Sequence, residues 1–116
     1  MLVVRRAVVA KDQADVGTST ARRWMIASGV ITAEAIFEED PATTCTALVI
    51  ELLGSISGVK YFVLASHTFT TLEKTNNCAM FHVVDKPIMF IKTNISTLTK
   101  TGDGDVKVTI NLLSYD

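Results

Sequence analysis

Residues that carry specialised chemistry are scarce in this chain. Its 116 residues include two histidines, two cysteines, two prolines and one tryptophan, and aromatics make up only 7%. No excess of charge offsets that scarcity: 11 Lys/Arg against 12 Asp/Glu leave a formal net charge of -1. A near-neutral chain lacks the broad basic surface that seeks phosphate, so nucleic acid is not an expected partner. The same balance leaves little repulsion between copies and favours self-association. No stretch approaches the ~20 apolar residues of a membrane helix, and no membrane partner is expected. The opening MLVVRRAVVA is too short an apolar run for a secretory signal and is broken by Arg5 and Arg6. The expectation is a protein made in a cytoplasm. Cys45 and Cys78 form no CxxC cluster and read as two buried free thiols, since unpaired Cys behaves as a small hydrophobe. A disulfide would require their strands to be neighbours.

What is present is apolar and β-forming. Apolar residues are 48% of the chain and charged ones 20%, which suits one folded domain over residues 1–116 with its own core. Strand candidates follow one another at short intervals. They are Leu2–Ala10, Thr18–Ile26, Val30–Phe37, Cys45–Leu53, Val59–Thr68, Cys78–Val84, Ile88–Thr97 and Val106–Tyr115. Turns are expected at Ala27-Ser28-Gly29, Asp85-Lys86-Pro87 and Thr101–Asp105, and polar loops at 11–17 and 38–44. The stretch 71–77 suggests a single helical turn. The last strand is the clearest: Val106, Val108, Ile110 and Leu112 alternate with Lys107, Thr109 and Asn111, the period of a sheet with one wet face. Thr32–Glu39 (TAEAIFEE) contains good helix formers, but the β-branched lead-in Val30-Ile31-Thr32 favours strand. About eight short strands without a long amphipathic helix predict an all-β, single antiparallel β-sandwich or jelly-roll-like domain. Residues 1–17 are expected to form an N-terminal arm or an edge strand.

Catalytic and metal constellations are weak. His67 and His82 each fall in a strand, without an Asp or Ser at the spacing of a triad. Cys78 and His82, four apart on a strand, lie about 13 Å from end to end, too far to share one zinc ion. Asp103-Gly104-Asp105 reads as a turn, because the remaining ligands of a calcium loop do not follow. Gly54 and Gly58 lack the Lys-Ser/Thr and helix start of a phosphate loop. Glu34, Glu38, Glu39 and Asp40 have too few aromatics around them for a glycosidase cleft. No enzyme activity, metal or cofactor is expected.

The stretch Gly54-Ser55-Ile56-Ser57-Gly58-Val59-Lys60-Tyr61-Phe62-Val63-Leu64 resembles G-S-L-D-G-x-x-W-x-x-L, a hairpin found in β-sandwich structural proteins of tailed phages. A related form occurs in discoidin-like carbohydrate-binding sandwiches. Pro87–Leu98 is similar to the P-V-R-Y-I-R-x-N-I-T-x-L strand of the phage proteins, and Val106–Leu112 to their V-T-V-x-L ending. Ser57 stands where that motif has Asp, Tyr61 where it has Trp, Met89-Phe90 for Arg-Tyr and Lys92 for the second Arg. The resemblance spans roughly residues 45–113 and implies Gly54 and Gly58 as turn glycines, with an aromatic packed onto the sheet. It implies a non-enzymatic virion structural protein, capsid decoration or cement or a neck or tail accessory. Its partners would be major capsid or neck/tail proteins and copies of itself. The alternative it carries is a carbohydrate-binding module, for which Trp24, Tyr61 and Tyr115 supply the only Trp and Tyr.

Charge is unevenly placed. Arg5, Arg6, Lys11, Arg22 and Arg23 dominate residues 1–23, whereas residues 24–58 hold Glu34, Glu38, Glu39, Asp40 and Glu51 with no cation before Lys60. These segments are complementary and could meet within one fold or between copies. Adjacent Arg5 and Arg6 must point to opposite faces of a strand, which is costly unless that strand lies at a sheet edge or reaches a neighbour. Arg5, Arg6, Glu38, Glu39 and Asp40, with the outward Leu113 and Tyr115, are the interaction residues expected.

Overall fold

Alternating side chains build both faces of the core. The structure is a computed structural model that describes residues 4–26 and 30–115. Among them are nine strands and one short helix: β1 (Val4–Gln13), β2 (Gly17–Thr18), β3 (Arg22–Ile26), β4 (Ile31–Glu39), β5 (Thr44–Ser55), β6 (Phe62–Thr68), α1 (Thr71–Asn76), β7 (Cys78–Val83), β8 (Ile88–Thr101) and β9 (Val106–Tyr115). Val106, Val108, Ile110 and Leu112 of β9 are all fully buried, as their period demands. Ala33, Ala35 and Phe37 of β4 are buried too. The helix formers of TAEAIFEE are thus overruled, because alternate burial across a sheet satisfies every second side chain and a helix here would not.

All pairings are antiparallel, in two sheets ordered β1-β9-β4-β7 and β2-β8-β5-β6, with β3 also on β8. The fold is an all-β sandwich. Since β2 and β3 both lie along β8, they act as one interrupted strand, and eight strands in two four-stranded sheets is a jelly-roll arrangement. The expected strand 18–26 is broken at residues 19–21. There Ser19 pairs instead with Thr93, its N–H donating to the carbonyl at 2.8 Å and its hydroxyl accepting from the Thr93 N–H at 2.9 Å. Polar residues 11–13 belong to β1 rather than to a loop. β1 is an edge strand with register shifts, so polarity costs little there. Glu38 and Glu39 likewise extend β4. The expected turn at Ala27-Ser28-Gly29 and the start of the first strand at Leu2 lie outside the described residues.

The topology sorts the connections between two ends of an elongated body of 47 × 28 × 19 Å. At one, the helix end, lie the β1–β2 turn, the β4–β5 loop, α1 and the β8–β9 turn. At the other, the hairpin end, lie the β5–β6 hairpin loop (56–61) and the β7–β8 loop (84–87), beside the β1–β9 pair Val4–Tyr115.

Candidate functional site

The GSISG stretch forms the hairpin end, and its glycines have different jobs. Gly58 has φ +80° and donates its N–H to the hydroxyl of buried Ser55 at 2.8 Å. Ser57 Oγ accepts from the Val59 N–H at 3.0 Å, so the serine in place of the motif's aspartate still organises the turn. The Phe90 ring lies so close beneath Gly58 that a Cβ would sit 3.1 Å from it. Gly54 is not a turn residue, contrary to expectation. It belongs to β5, where a Cβ would stand 2.7 Å from Leu64 and 2.9 Å from Ile88; the requirement there is close packing, not a positive φ. Tyr61 takes the place of the motif's Trp, and Lys92 Nζ lies 4.2 Å from its ring centroid, a cation–π contact at an exposed to half-buried site.

Because residues 56–61 are loop, their apolar side chains have no sheet to enter. Ile56 is 77% exposed, Val59 78% and Phe62, at the start of β6, 68%. Between this loop and Asp85-Lys86-Pro87 opens a groove of about 390 Å³ whose lining is chiefly apolar. Ile56, Phe62, Leu64, Pro87 and Ile88 form its walls, and Lys60, Lys86 and Asp85 its rim. Those three charged residues are exposed, and among the described residues none is in an ion pair. Contiguous exposed apolar surface with a polar rim marks an interaction site. Sequence reading missed it by treating 59–61 as strand. The available signal was an apolar Ile56 and Val59 between turn residues, where no inward side exists for both.

The expected interaction residues are divided by the fold. Arg5 and Arg6 are both exposed, as the edge position of β1 permits. Arg6 shares with Leu113 a hollow of about 250 Å³ on the outer face of its sheet, lined also by Thr32, Glu34, Met80 and Asn111. Leu113 points outward as expected, whereas the Tyr115 side chain lies outside the described residues. Glu34 of the acidic segment shares that hollow with Arg6, whereas Glu38, Glu39 and Asp40 are at the opposite end of β4, ~26 Å away along a nine-residue strand, and do not meet Arg5 or Arg6 within one chain. Glu39 accepts from the Cys45 N–H at 2.6 Å and Asp40 from the Asp105 N–H at 2.8 Å. Both serve the fold, whereas Glu38, the exposed one of the three, makes no hydrogen bond or ion pair among the described residues.

The helix end is dense with such internal bonds. Thr43 Oγ1 accepts from the Gly104 N–H at 3.0 Å, and Lys100 donates to the Gly104 carbonyl and lies 3.6 Å from Asp105. Helix α1 carries a reciprocal cap: Glu73 N–H donates to Thr70 Oγ1 at 3.2 Å and Thr70 N–H to Glu73 at 2.9 Å. That Thr70 N–H, with His67 adding to it, holds the Glu73 carboxyl below the usual glutamate range. His67 lies 2.9 Å from Glu73 and stacks on Phe81 at 5.1 Å, an arrangement that ties β6 to β7 and is structural. Cys45 is buried, and burial pushes its thiol up, with Glu39 adding to the effect. Cys78 is exposed, a correction to the reading of two buried thiols. It sits on edge strand β7, facing away from the core. No group of three or more His, Cys, Asp or Glu side chains that could hold a metal ion occurs among the described residues.

No protein-family model matches the chain, and no curated protein matches it in sequence. Solved structures do match in fold. A prophage-derived protein, YomS of SPBc2, superposes with TM-score 0.63 at 10% identity, over 98% of this chain and 96% of that one. The PBSX exported protein XepA gives 0.62 at 10% identity over 97% of this chain, which spans only 38% of XepA. VP2 of the infectious bursal disease virus subviral particle gives 0.52 at 16% identity, with 97% of this chain and 32% of that one covered. Phage-derived and viral capsid proteins thus share the fold. Identities this low speak for the fold alone.

Proposed function

We propose that this chain is a non-enzymatic structural protein of a tailed-phage virion, made in the host cytoplasm. It either decorates or cements the capsid shell or serves as an accessory at the neck or tail. The observation that carries the reading is the apolar groove at the hairpin end, edged by charges that make no ion pair among the described residues. A fold that leaves Ile56, Val59 and Phe62 uncovered around a groove, while the loops of its other end are tied by hydrogen bonds to the chain, is built to be covered at that groove. Phage-derived relatives in fold support the setting. Its partners are other virion proteins and further copies of itself, and many weak contacts on a repeating lattice add up to firm attachment. No cofactor takes part.

The carbohydrate-binding alternative is less well supported. It needs an exposed platform of Trp or Tyr, whereas Trp24 is only 3% exposed and Tyr61 is half-buried against Lys92. Among the described residues the apolar walls of the groove are aliphatic apart from Phe62, so no stacked aromatic platform faces the polar side chains at its rim. Quantitative mass spectrometry of purified particles tests the proposal. The chain should appear at a fixed stoichiometry to the major capsid or tail protein, and its absence from particles would overturn the reading.

A further inference from the structure

The two ends of the sandwich differ in charge as well as in polarity. The hairpin end exposes Arg5, Lys60 and Lys86 against Asp85, none of them ion-paired among the described residues. The helix end exposes Asp12, Asp15, Glu38 and Asp103, also without an ion pair among the described residues; the cations beside them include exposed Lys11 and half-buried Lys107, the latter across the sheet from Glu38. On the β1–β2 turn a single large apolar residue, Val16, stands 58% exposed directly after Asp15. The molecule therefore carries an axial charge difference, made chiefly of residues other than the two segments contrasted in the sequence, and no ion pair among the described residues joins its two ends.

We propose that copies of this chain stack end to end, the hairpin-end groove of one receiving the acidic tip of the next. Val16 enters between Ile56, Phe62 and Pro87, and Asp15 meets Lys60 or Lys86 at the rim. The contact is heterologous: two different surfaces meet, and neither is used up by pairing with itself. Repetition then gives a ring or a column, according to whether the rotation closes. The end face is small. A cross-section of 28 × 19 Å falls short of the ~800 Å² per partner of a standard stable interface. The contact is consequently weak and reversible in solution, and salt-sensitive because its charges sit at an exposed rim. This stacking rests on reading the groove as a docking surface. It is independent of which particle, if any, contains the chain, so failure here and absence from virions are separate results.

Sedimentation velocity on the full chain over a wide concentration range, with two surface variants, tests it. One variant disables the socket (Lys60→Glu with Lys86→Glu), the other the plug (Asp15→Asn with Val16→Ser). All four side chains are exposed and make no bonds among the described residues, so the fold should persist, which circular dichroism checks. Wild type should self-associate, and ~1 M salt, where the Debye length is ~3 Å, should weaken this about tenfold. Each variant alone should stay monomeric. Mixed in equal amounts, they should recover one contact and stop at dimers, since each retains one intact end. Three outcomes would overturn the proposal. A monomeric wild type at every concentration means that copies do not stack. A plug variant that associates as wild type does means the groove pairs with itself. A mixture that remains monomeric means that the two ends do not meet.

Discussion

The helix end and the hairpin end come from the same strands, yet they dispose of their loops in opposite ways. At the helix end, most connections are polar and bonded back into the fold (Asp40 to Asp105, Thr43 to Gly104, Glu39 to Cys45, and the reciprocal cap on α1), with Val16 and Leu72 as exposed apolar exceptions. At the hairpin end the large loop side chains are apolar and uncovered, and the nearby charges make no ion pair among the described residues. Satisfied polar loops need nothing further, whereas exposed apolar loops lower their free energy only when something covers them. One end therefore maintains the fold and the other is available for contact, apart from the few free carboxylates at the tip of the first.

Substitutions should affect the two ends to different degrees. The largest loss of stability is expected for Gly102→Val at the helix end. Gly102 has φ +97°, and a Cβ there would collide with the Ala42 carbonyl, so backbone must move on top of the dihedral strain. The expected cost is about 3 kcal/mol, visible as a fall of more than ~10 °C in thermal melting. Gly58→Val at the hairpin end should cost less, about 1–2 kcal/mol. Its φ is +80°, but the obstacle is the Phe90 ring at 3.1 Å, a side chain that can yield. Equal losses at the two glycines would remove the contrast.

A smaller effect concerns pH. Glu73 is held below the usual glutamate range by the Thr70 N–H and His67. A depressed folded-state value means that its contribution is complete at neutral pH and fades as pH falls through and below the ordinary range near ~4.3. Acid unfolding followed by circular dichroism should thus loosen the helix end, and Glu73→Gln should flatten the dependence in that window. The smallest change in stability is expected from Ile56→Ser, within about 0.5 kcal/mol, although the same variant should weaken self-association. A large loss of stability from Ile56→Ser would show that the loop belongs to the core.

The sequence made one of these ends far easier to read than the other. Strand β9 is visible to the residue because strict alternation leaves a single solution, and β4 because Ala33, Ala35 and Phe37 keep the same period through good helix formers. The extension of β1 through Gln13 was hidden, because an edge strand with shifted register tolerates Lys11, Asp12 and Gln13. Gly58 was legible as a turn residue, but Gly54 was not separable from it: one answers to φ and the other to the approach of Leu64 and Ile88. The groove was illegible for a different reason. Val59, Tyr61 and Phe62 look like the start of a strand, and only three-dimensional placement shows that the strand begins at Phe62 and leaves what precedes it facing solvent. Arg5 and Arg6 were correctly marked as needing an edge. The acidic stretch was overread, since hydrogen bonds to Cys45 and Asp105 occupy Glu39 and Asp40.

The central claim is that residues 54–64 and 84–88 are covered when the chain does its work. Hydrogen exchange with mass-spectrometric readout, comparing the chain in purified particles with the dilute free chain, measures this directly. The account predicts that amides in those two segments exchange more slowly in the particle, while the core strand β9 is equally protected in both states. Exchange in 54–64 and 84–88 that is as fast in the particle as in the free chain would contradict it.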